Sequence, residues 1–463
     1  MKDLWQPVAK HLLFPLHSRW EDNGVPAHLR ELEATQFLPP HEVQELQFRR
    51  LRALLQHAND NCPFYRSRFA ACGFNPLRLH DLDDLAIVPP LTKEDIRLHA
   101  LDMRARNLPA DRILDDKTGG STGQPLHFFL DRARFFSRIA AAHRHDRWTG
   151  WDIGHKAAYL WGARRDIARK DSLAYRLRTG LLERTLVLDT SNISVKDLAG
   201  FRARLLRFRP VIYVAYANSI HLYAKYLVDA GIRSYHRPRA IITSAEFLDP
   251  ERRQFIEKVF ECRVFDRYGS RETGIIASEC DRHAGLHHCA EALLLEVARQ
   301  GLRVQPGEQG RILVTDLLNV GMPFIRYDIG DVGEPTQQAC ACGRGLPLLK
   351  MTGGRVTDFL VTTEGRVISG ASLTIYLIAN APGVAQAQLV QQRSDEIIVK
   401  IVPAPDFGER TRDFFAREMP RFFGSKVRYE LVCVEQIPAE ASGKRRFSIS
   451  SVDPANIFCP GSG

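Results

Sequence analysis

Four short segments of the chain combine glycines, hydroxyls, carboxylates and a lysine. They read Thr-Gly-Gly-Ser-Thr-Gly-Gln-Pro at 118–125, Tyr-Gly-Ser-Arg-Glu-Thr at 268–273, Arg-Tyr-Asp-Ile-Gly-Asp at 326–331 and Ser-Gly-Lys at 442–444. Glycines let backbone N–H groups approach an anion, hydroxyls add donors, and carboxylates hold metal ions or ribose hydroxyls. In this order the four segments indicate an enzyme that activates a carboxylic acid with ATP.

The first segment predicts a phosphate-binding loop that contains Ser121, Thr122 and Gly123. It is not a Walker A loop, because no Gly-Lys-Ser/Thr follows at the required spacing. Gly443-Lys444 does not complete such a loop either, since Pro438 stands where its first glycine would be. The plain alternative for 118–125 is a Ser/Gly linker.

The second and third segments supply carboxylates. Residues 266–272 follow the apolar run 263–265, and loops at the carboxyl ends of strands are where α/β sheets bind ligands. Glu272 is a candidate magnesium ligand, Tyr268 could stack on a purine, and Asp331 could accept bonds from two ribose hydroxyls. The alternatives are a turn with a surface salt bridge at 266–272 and, for Asp331, a loop aspartate that bonds its own backbone.

A group of soft ligands brackets the predicted strand 310–317. It consists of Cys280, His287, Cys340 and Cys342, spaced as Cys-X6-His and Cys-X-Cys. A tetrahedral Cys3His zinc site is chemically reasonable, and its role would be structural because the four ligands leave no open position. His283, His288 and Cys289 are competing ligands, and unliganded thiols packed as small hydrophobes are the alternative to any metal.

The elements that must position these residues are those of an α/β protein. Residues 1–110 read as mostly helical, with a capping box at Thr92 and Asp95. Beyond 111, short apolar runs alternate with amphipathic stretches, which predicts a parallel sheet and, around 310–317, a more β-rich section. Gly353-Gly354 predicts a hinge. We therefore expect a large domain at 1–353 and a small α+β domain at 354–463, with a hairpin over 358–369, a strand at 396–402, a helix at 408–419 and a strand at 427–434.

Composition excludes several classes of protein. The 463 residues are 44% hydrophobic and 25% charged, with 64 Lys plus Arg against 54 Asp plus Glu and a net charge of +10. The basic residues are dispersed and no nucleic-acid-binding signature is present, so no nucleic-acid partner is expected. The nine irregularly spaced cysteines fit a reducing compartment. Since neither a signal peptide nor a membrane span is apparent, we expect a cytoplasmic protein without a membrane partner.

These residues resemble the adenylate-forming superfamily of acyl-CoA synthetases, peptide-synthetase adenylation domains and luciferases, and most of all its phenylacetate–CoA ligase-like (CapK-like) branch. The resemblance spans about residues 45 to 450. The segments that carry it are Asn61-Cys-Pro-Phe-Tyr65, Leu91-Thr-Lys93, Ser244-Ala-Glu246, Tyr268-Gly-Ser-Arg-Glu272, Cys340-Ala-Cys-Gly-Arg344 and Ser442-Gly-Lys-Arg-Arg446.

The resemblance implies a role for each matching residue. Ser121, Thr122 and Gly123 would bind phosphate; Ser244, Ala245, Glu246, Asp266 and Tyr268 would line the adenine side. Glu272 would hold Mg²⁺, Asp331 the ribose, and Arg355 ribose or phosphate near the hinge. Lys444, on a mobile C-terminal domain, would reach the reacting carboxylate. The branch also strengthens the zinc hypothesis.

The chain departs from the family pattern at two positions. Gln124 stands where many relatives carry lysine, and Thr357, followed by Asp358, stands where the hinge aspartate is usual. Because of the second departure, the sequence does not identify which residue is the hinge. Taken alone, Lys444 reads as one more cation in the run Lys-Arg-Arg.

The expected activity is formation of an acyl-adenylate followed by transfer of the acyl group, with coenzyme A as the first candidate acceptor. An amine, an alcohol or a carrier-protein thiol is the alternative acceptor, and a non-catalytic member of the fold is a third hypothesis. The acid pocket is expected around 160–162, 213–218 and 272–276, where Trp161 and Tyr216 could flank an aryl ring or simply be core aromatics. The oligomeric state stays open, a dimer included.

Overall fold

The computed structural model describes residues 3–117, 126–161, 178–190, 193–299, 301–353, 355–357, 359–364, 366–370, 373, 377–437 and 445–452. Across these ranges no helix combines the length and apolarity needed to cross a membrane.

The first hundred residues are helical, as predicted. The helices are α1 (Trp5–Val8), a π-helical stretch (Ala9–Leu13), α2 (Phe14–Trp20), α3 (Val25–Thr35), α4 (Pro40–Asn61), α5 (Pro63–Cys72) and α6 (Lys93–Met103). The capping box that starts α6 is confirmed, because the Thr92 side chain accepts from the Asp95 N–H and the Asp95 side chain accepts from the Thr92 N–H. Just before it, Leu91 forms a parallel bridge with Tyr327.

A twelve-stranded sheet forms the centre of the fold. Its parallel part consists of β3 (Ala157–Trp161), β4 (Thr185–Asp189), β5 (Ile212–Tyr216), β6 (Ala240–Ser244) and β7 (Arg263–Ser270). The long helices of this region are α7 (Arg132–Trp148), α8 (Val195–Phe208), α9 (Ala217–Asp229) and α10 (Pro250–Phe260). Ile212 and Val214 belong to one apolar cluster and Tyr213 and Ala215 to another, so β5 is buried on both faces, as expected for a parallel sheet.

The same sheet continues as an antiparallel, β-rich section. Its strands are β8 (Gly274–Glu279), β9 (Leu286–His288), β10 (Leu293–Arg299), β11 (Leu302–Arg303), β12 (Gly310–Asp316), β13 (Tyr327–Thr336) and β14 (Leu348–Gly353). The spatial order is β11-β10-β12-β13-β14-β9-β8-β7-β6-β5-β3-β4. A separate hairpin pairs β1 (Ile113–Lys117) with β2 (His127–Asp131), on either side of the predicted phosphate loop.

A second, five-stranded sheet follows Gly353. It contains β15 (Arg355–Thr357), β18 (Val384–Arg393), β19 (Glu396–Pro403), β20 (Arg428–Cys433) and β21 (Arg445–Ser450), in the order β15-β21-β18-β19-β20. The predicted hairpin is present as β16 (Phe359–Val361) and β17 (Val367–Ser369), and the predicted helix as α11 (Glu409–Phe423). Strand β18 was not predicted. This section has its own apolar core, in which Phe415 and Met419 of α11 meet Leu389 and Val399 of the sheet.

Candidate active site

The carboxyl ends of β6 and β7 bring together the first group of predicted residues. These neighbouring strands are parallel and in register, with Thr243 opposite Asp266 and Ser244 opposite Arg267. Ser244 ends β6, and Ala245 follows with a φ of +68°, a left-handed conformation that costs energy for a residue with a Cβ. The chain therefore turns sharply at the edge where open α/β sheets bind ligands.

Asp266 lies at the centre of a hydrogen-bond network at this edge. Thr243 Oγ1 donates to Asp266 Oδ1 at 2.9 Å, and the Asp266 N–H donates to Glu279 Oε2 at 2.7 Å. Desolvation, and after it the charge of Glu279, raises the pKa of Asp266 to about 7. Near neutral pH its carboxyl therefore exists in both protonation states, and it can accept or donate a hydrogen bond.

Glu279, which sequence reasoning missed, anchors this network. Arg253 donates to both of its carboxylate oxygens, at 2.8 and 2.9 Å, and His283 Nδ1 lies 3.2 Å from Oε2. Burial acts to raise the pKa of Glu279, but the hydrogen bond with His283 and the charge of Arg253 outweigh it, so the pKa is lowered. An ionised Glu279 thus holds the backbone of Asp266 in place.

Glu246 directs its carboxylate to a helix. Its Oε2 accepts the Asn218 N–H at 2.8 Å in the first turn of α9, where unpaired backbone donors favour an anion. The side chain is buried. Because the carboxylate is used at the helix, a role of Glu246 beside the adenine would involve the backbone of residues 244–246. That role stays a prediction.

The predicted purine and ribose residues meet directly. Tyr268 Oη donates to Asp331 Oδ2 at 2.9 Å. Their strands, β7 and β13, are separated by β8, β9 and β14 in the order of the sheet. A flat sheet would hold them far apart at about 4.8 Å per strand, so the antiparallel section must curl back over the end of the parallel one.

Glu272 sits in the turn between β7 and β8. Its carboxylate is buried, and Tyr327 Oη donates to its Oε1 at 3.1 Å. Arg134 of α7 donates to the Thr273 carbonyl at 2.8 Å and pairs with the buried Asp316 at 2.8 Å. The turn is therefore fixed from both sides. Within the described part of the chain the Glu272 carboxylate accepts the one hydrogen bond from Tyr327, which leaves lone pairs for a cation.

Arg138, one turn further along α7, is a second cation that sequence reasoning missed. It donates to the Arg271 carbonyl at 2.5 Å, and a Cβ on Gly274 would come within 2.7 Å of its Nε. Desolvation and the charge of Arg134 lower the pKa of Arg138 to about 10, so the guanidinium remains charged at neutral pH. The sequence did contain a signal for Arg138. It lies four residues after Arg134, so both arginines share one helix face soon after the predicted phosphate loop.

Trp161 and Tyr216 are in contact at the ends of neighbouring strands. Their ring centroids are 4.2 Å apart with an interplanar angle of 38°. Tyr216 is almost fully buried, whereas Trp161 is half-buried. This contact fits both predictions for the two aromatics: that they form a wall of the acid pocket, and that they belong to the core.

Several predicted residues lie outside the described part of the chain. They are Ser121, Thr122 and Gly123 in 118–125, and Lys444 in 438–444. Arg355 is described by its backbone only, which pairs in parallel with Arg445, the residue after Lys444. Their roles therefore stay predictions.

The four predicted zinc ligands converge. The ligand atoms of Cys280, His287, Cys340 and Cys342 all lie within 4.8 Å of one another. Cys280 Sγ is 3.6 Å from Cys340 Sγ, and Cys342 Sγ is 3.3 Å from His287 Nε2.

His287 has the ring orientation and the protonation state that binding a metal ion requires. His287 Nδ1 lies 3.1 Å from the Leu346 carbonyl, which fixes the ring so that Nε2 faces the sulfurs. Burial lowers the pKa of His287 to about 4, so the ring is in the neutral form that binds metals. Three sulfurs and one imidazole suit tetrahedral zinc. The competing ligands His283, His288 and Cys289 do not belong to the group that the described residues form.

Comparisons with known proteins agree with the architecture. Residues 360–451 match the family described as CapK C-terminal domain. Protein CapK of Staphylococcus aureus is 24% identical over 415 residues, with 89% of this chain and 90% of that protein covered. A phenylacetate-coenzyme A ligase of Thermus thermophilus is 23% identical over 401 residues, covering 82% and 86%.

Solved structures show the same fold. The 2-hydroxyisobutyryl-CoA ligase in complex with 2-HIB-AMP and CoA, in the thioesterification state, superposes with a TM-score of 0.60 at 20% identity, covering 90% of this chain and 92% of that one. The same ligase in the postadenylation state gives 0.58. The chain is therefore a homologue of protein CapK and of the phenylacetate-coenzyme A ligases, with the fold of the adenylate-forming CoA ligases.

Proposed function

We propose that this protein is an AMP-forming acid–thiol ligase, which uses ATP to convert a small carboxylic acid, such as an aryl acid, to an acyl-adenylate and then transfers the acyl group to coenzyme A. The observation that carries the proposal is that β7 and the turn after it meet β13 through predicted site residues, by the Tyr268–Asp331 and Tyr327–Glu272 hydrogen bonds. Homology to phenylacetate-coenzyme A ligases supports the reaction class.

In the first half-reaction, an oxygen of the substrate carboxylate attacks the α-phosphorus of ATP. A P–O bond forms, the bond to the β-phosphate oxygen breaks, and pyrophosphate leaves with the electron pair. Such chemistry needs positioning and charge neutralisation more than covalent help. A magnesium ion would supply charge neutralisation on the phosphates, and Glu272 is the residue that would hold it.

The nucleotide would be held by residues on both sections of the sheet. Asp331 would accept hydrogen bonds from the ribose hydroxyls, and its bond from Tyr268 orients it for this purpose. Residues 244–246 and Asp266 would line the adenine. Ser121, Thr122 and Gly123 would donate to the phosphates, and Arg355 would contact ribose or phosphate.

Two cations would meet the charge that develops at the reacting centre. Lys444 would lie between the substrate carboxylate and the α-phosphate. Arg138 would add a fixed positive charge beside the turn 271–274, where its contacts with Arg271 and Gly274 place it. Trp161 and Tyr216 would form one wall of the acid pocket.

The second half-reaction would use the boundary between the domains 1–353 and 354–463. Rotation about residues 353–355 would remove Lys444 from the site and admit the thiol, whose sulfur attacks the acyl carbon as AMP leaves. Large dihedral changes concentrate in a few linking residues, for which two glycines are suited. Cys280, His287, Cys340 and Cys342 would hold a structural zinc ion.

ATP–pyrophosphate exchange across a panel of aryl and short-chain acids tests the first half-reaction. We expect exchange with at least one acid, and its loss in Asp331→Ala. AMP release with coenzyme A, compared with an amine, an alcohol and a carrier-protein thiol, then identifies the acceptor. Absence of exchange with every acid, in protein shown to be folded, would contradict the proposal, whereas release only with another acceptor would replace coenzyme A.

A further inference from the structure

His283 lies beside the four converging metal ligands and, in the described part of the chain, does not belong to them. We call those ligands the Cys/His group: Cys280, His287, Cys340 and Cys342. Nδ1 of His283 lies 3.2 Å from Glu279 Oε2, and the His283 ring packs on Phe265 with the ring centroids 4.8 Å apart. Phe265 directly precedes Asp266 in β7, and Glu279 accepts the Asp266 N–H at 2.7 Å. His283 therefore contacts the two residues to which Asp266 is joined, one by a peptide bond and one by a hydrogen bond.

His283 stands on the turn that joins β8 to β9. The two strands are antiparallel, with Glu279 opposite Leu286 across the hairpin. Cys280 directly follows β8, and His287 is in β9. Two members of the Cys/His group thus flank the turn, and a metal ion bound by the group would fix the turn on which His283 stands.

The turn stores backbone strain at His283 itself. The φ of this residue is +51°, a left-handed conformation that costs energy for a residue with a Cβ. The His283 N–H donates to the Cys280 carbonyl at 3.1 Å, and the Arg282 N–H donates to Cys280 Sγ at 3.4 Å. Because a strained conformation persists only where its surroundings hold it, loss of a metal ion from Cys280 would allow the turn to relax and His283 to leave Glu279.

The remaining contacts of Glu279 limit the consequence of that loss. Arg253 donates to both carboxylate oxygens of Glu279, at 2.8 and 2.9 Å, and would keep the side chain nearby. His283 and the Asp266 N–H, however, share the same oxygen, Oε2. Loss of His283 would therefore change the position of the atom that holds Asp266 without unfolding the strands around it.

We propose that His283 is a positioning residue for nucleotide binding, through which a metal ion in the Cys/His group strengthens the binding of the nucleotide beside Asp266. The metal ion would fix the turn after β8, His283 on that turn would hold Glu279 Oε2, and Oε2 would hold the Asp266 N–H. This coupling rests on the proposed function, which places Asp266 beside the adenine. A purely structural metal would leave the nucleotide affinity of the folded protein unchanged.

The nucleotide affinity of the metal-loaded and the metal-free protein tests the proposal. AMP is the probe, and calorimetry measures its Kd for the wild type and for His283→Ala. Removal of the metal should weaken AMP binding by the wild type about tenfold, within the usual range for coupled sites. With the metal bound, His283→Ala should bind AMP about tenfold more weakly than the wild type, and removal of the metal should then change its Kd by no more than about twofold, because the link is already broken.

Two further variants separate positioning from general support of the fold. His283→Asn places an amide donor where Nδ1 was and tolerates a positive φ, so it should recover most of the AMP affinity and of its dependence on the metal. The matched control is His80→Ala, the same truncation at an exposed histidine of the N-terminal helical section, and it should behave like the wild type. Thermal unfolding shows whether the compared proteins are folded.

Zinc affinity provides the reciprocal measurement, which requires no stable metal-free protein. By linkage, AMP must raise the affinity for zinc by the same factor by which zinc raises the affinity for AMP. Competition with a chromogenic zinc chelator should show that the wild type binds zinc about tenfold more tightly with saturating AMP than without it. In His283→Ala, AMP should leave the zinc affinity nearly unchanged.

The proposed coupling and the ligase activity on which it rests fail in different ways. Absence of AMP binding by the metal-loaded wild type would contradict both. A wild type that binds no zinc, or that binds AMP equally with and without zinc, would overturn the coupling and leave the ligase proposal standing. An equal dependence on the metal in the wild type and in His283→Ala would overturn the role of His283.

Discussion

The two ends of strand β8 present opposite uses of polar side chains. At its start, Glu272 accepts a hydrogen bond from Tyr327, the one that the described residues donate to its carboxylate, and lone pairs remain that can bind a ligand. At its end, Cys280 joins three other ligands whose atoms crowd within 4.8 Å. We call the start of β8, with Glu272, the open end, because its carboxylate can still bind a ligand. We call the other end, with Cys280, the closed end, because its four side chains contact one another and can hold strands and a loop together.

Strand β8 joins a candidate catalytic residue at one end to a candidate structural site at the other. Glu279, the last residue of β8, bonds the Asp266 N–H, and Cys280 follows it directly. The Cys/His group thus borders the hydrogen-bond network at the ends of β6 and β7. We expect substitutions at the closed end to lower the free energy of unfolding, and substitutions at the open end to lower the reaction rate.

The largest expected effect is on the closed end. Cys340→Ser removes one of four ligands and should lower the free energy of unfolding by about 4 kcal/mol or more, the range associated with loss of a structural metal. Denaturant unfolding and metal analysis measure this. The wild type should contain close to one zinc ion per chain. Cys433→Ser, at an exposed cysteine far from the cluster in sequence, is the control. A metal-free wild type with unchanged stability in Cys340→Ser would eliminate the site.

Lys444→Ala should cost about 10²–10³ in the rate of adenylate formation, the usual loss for one preorganised contact to developing charge. Thioester formation from supplied acyl-adenylate should be largely spared, because the proposed domain rotation would remove this lysine from the site. Single-turnover assays of each half-reaction measure both rates. Equal losses in the two assays would contradict the role given to Lys444.

Glu272→Gln should lower kcat about 10²-fold while leaving the unfolding temperature nearly unchanged, because the amide oxygen can still accept from Tyr327. Tyr327→Phe removes the hydroxyl that donates to Glu272 but keeps the Glu272 carboxylate, and it should have a smaller effect on rate. Magnesium titrations of both variants identify the cause. A loss of stability as large as that of Cys340→Ser, with normal kcat, would erase the distinction between the two ends of β8.

Arg138→Gln should lower kcat/KM about tenfold, since glutamine can still donate to the Arg271 carbonyl but carries no charge. Arg138→Lys retains the charge and should recover part of the activity. The recovery separates a charge effect from simple support of the turn. If both variants behave like the wild type, Arg138 has no part in the reaction.

A further expected effect is a pH dependence of stability at Asp266. Because its pKa rises from 3.8 in the unfolded chain to about 7 in the folded one, the folded protein binds more protons between these values. Stability therefore falls as pH rises through this window, and the loss is complete above about 7. Asp266→Asn should be more stable than the wild type at pH 8 and nearly equal to it at pH 4, measured by urea unfolding. An equal difference at both pH values would show that Asp266 does not titrate as proposed.

Local chemistry made much of the fold predictable. The capping box at Thr92 and Asp95, the apolar runs that became β3, β5, β6 and β7, and the amphipathic segment that became α8 all follow rules that act over a few residues. Strand β18 was missed because Val384–Arg393 includes four glutamines and an arginine, and its strand character depends on neighbours β19 and β21.

The site was predictable in its residue types and not in its contacts. Spacing and chemistry indicated Asp331 and the Cys/His ligands. Glu279 and Arg138 carry no motif, and their importance appears only where Glu279 meets Asp266 and Arg138 meets the 271–274 turn.

The sequence by itself determined many of the helices and strands and the inventory of carboxylates, cations and thiols, because those depend on side-chain chemistry and short-range spacing. Only the tertiary structure decided which groups meet: Tyr268 with Asp331, Tyr327 with Glu272, and Cys280 with Cys340. Those pairs are 55 to 63 residues apart in the chain. Their contact depends on the order and curl of twelve strands, which no local pattern encodes.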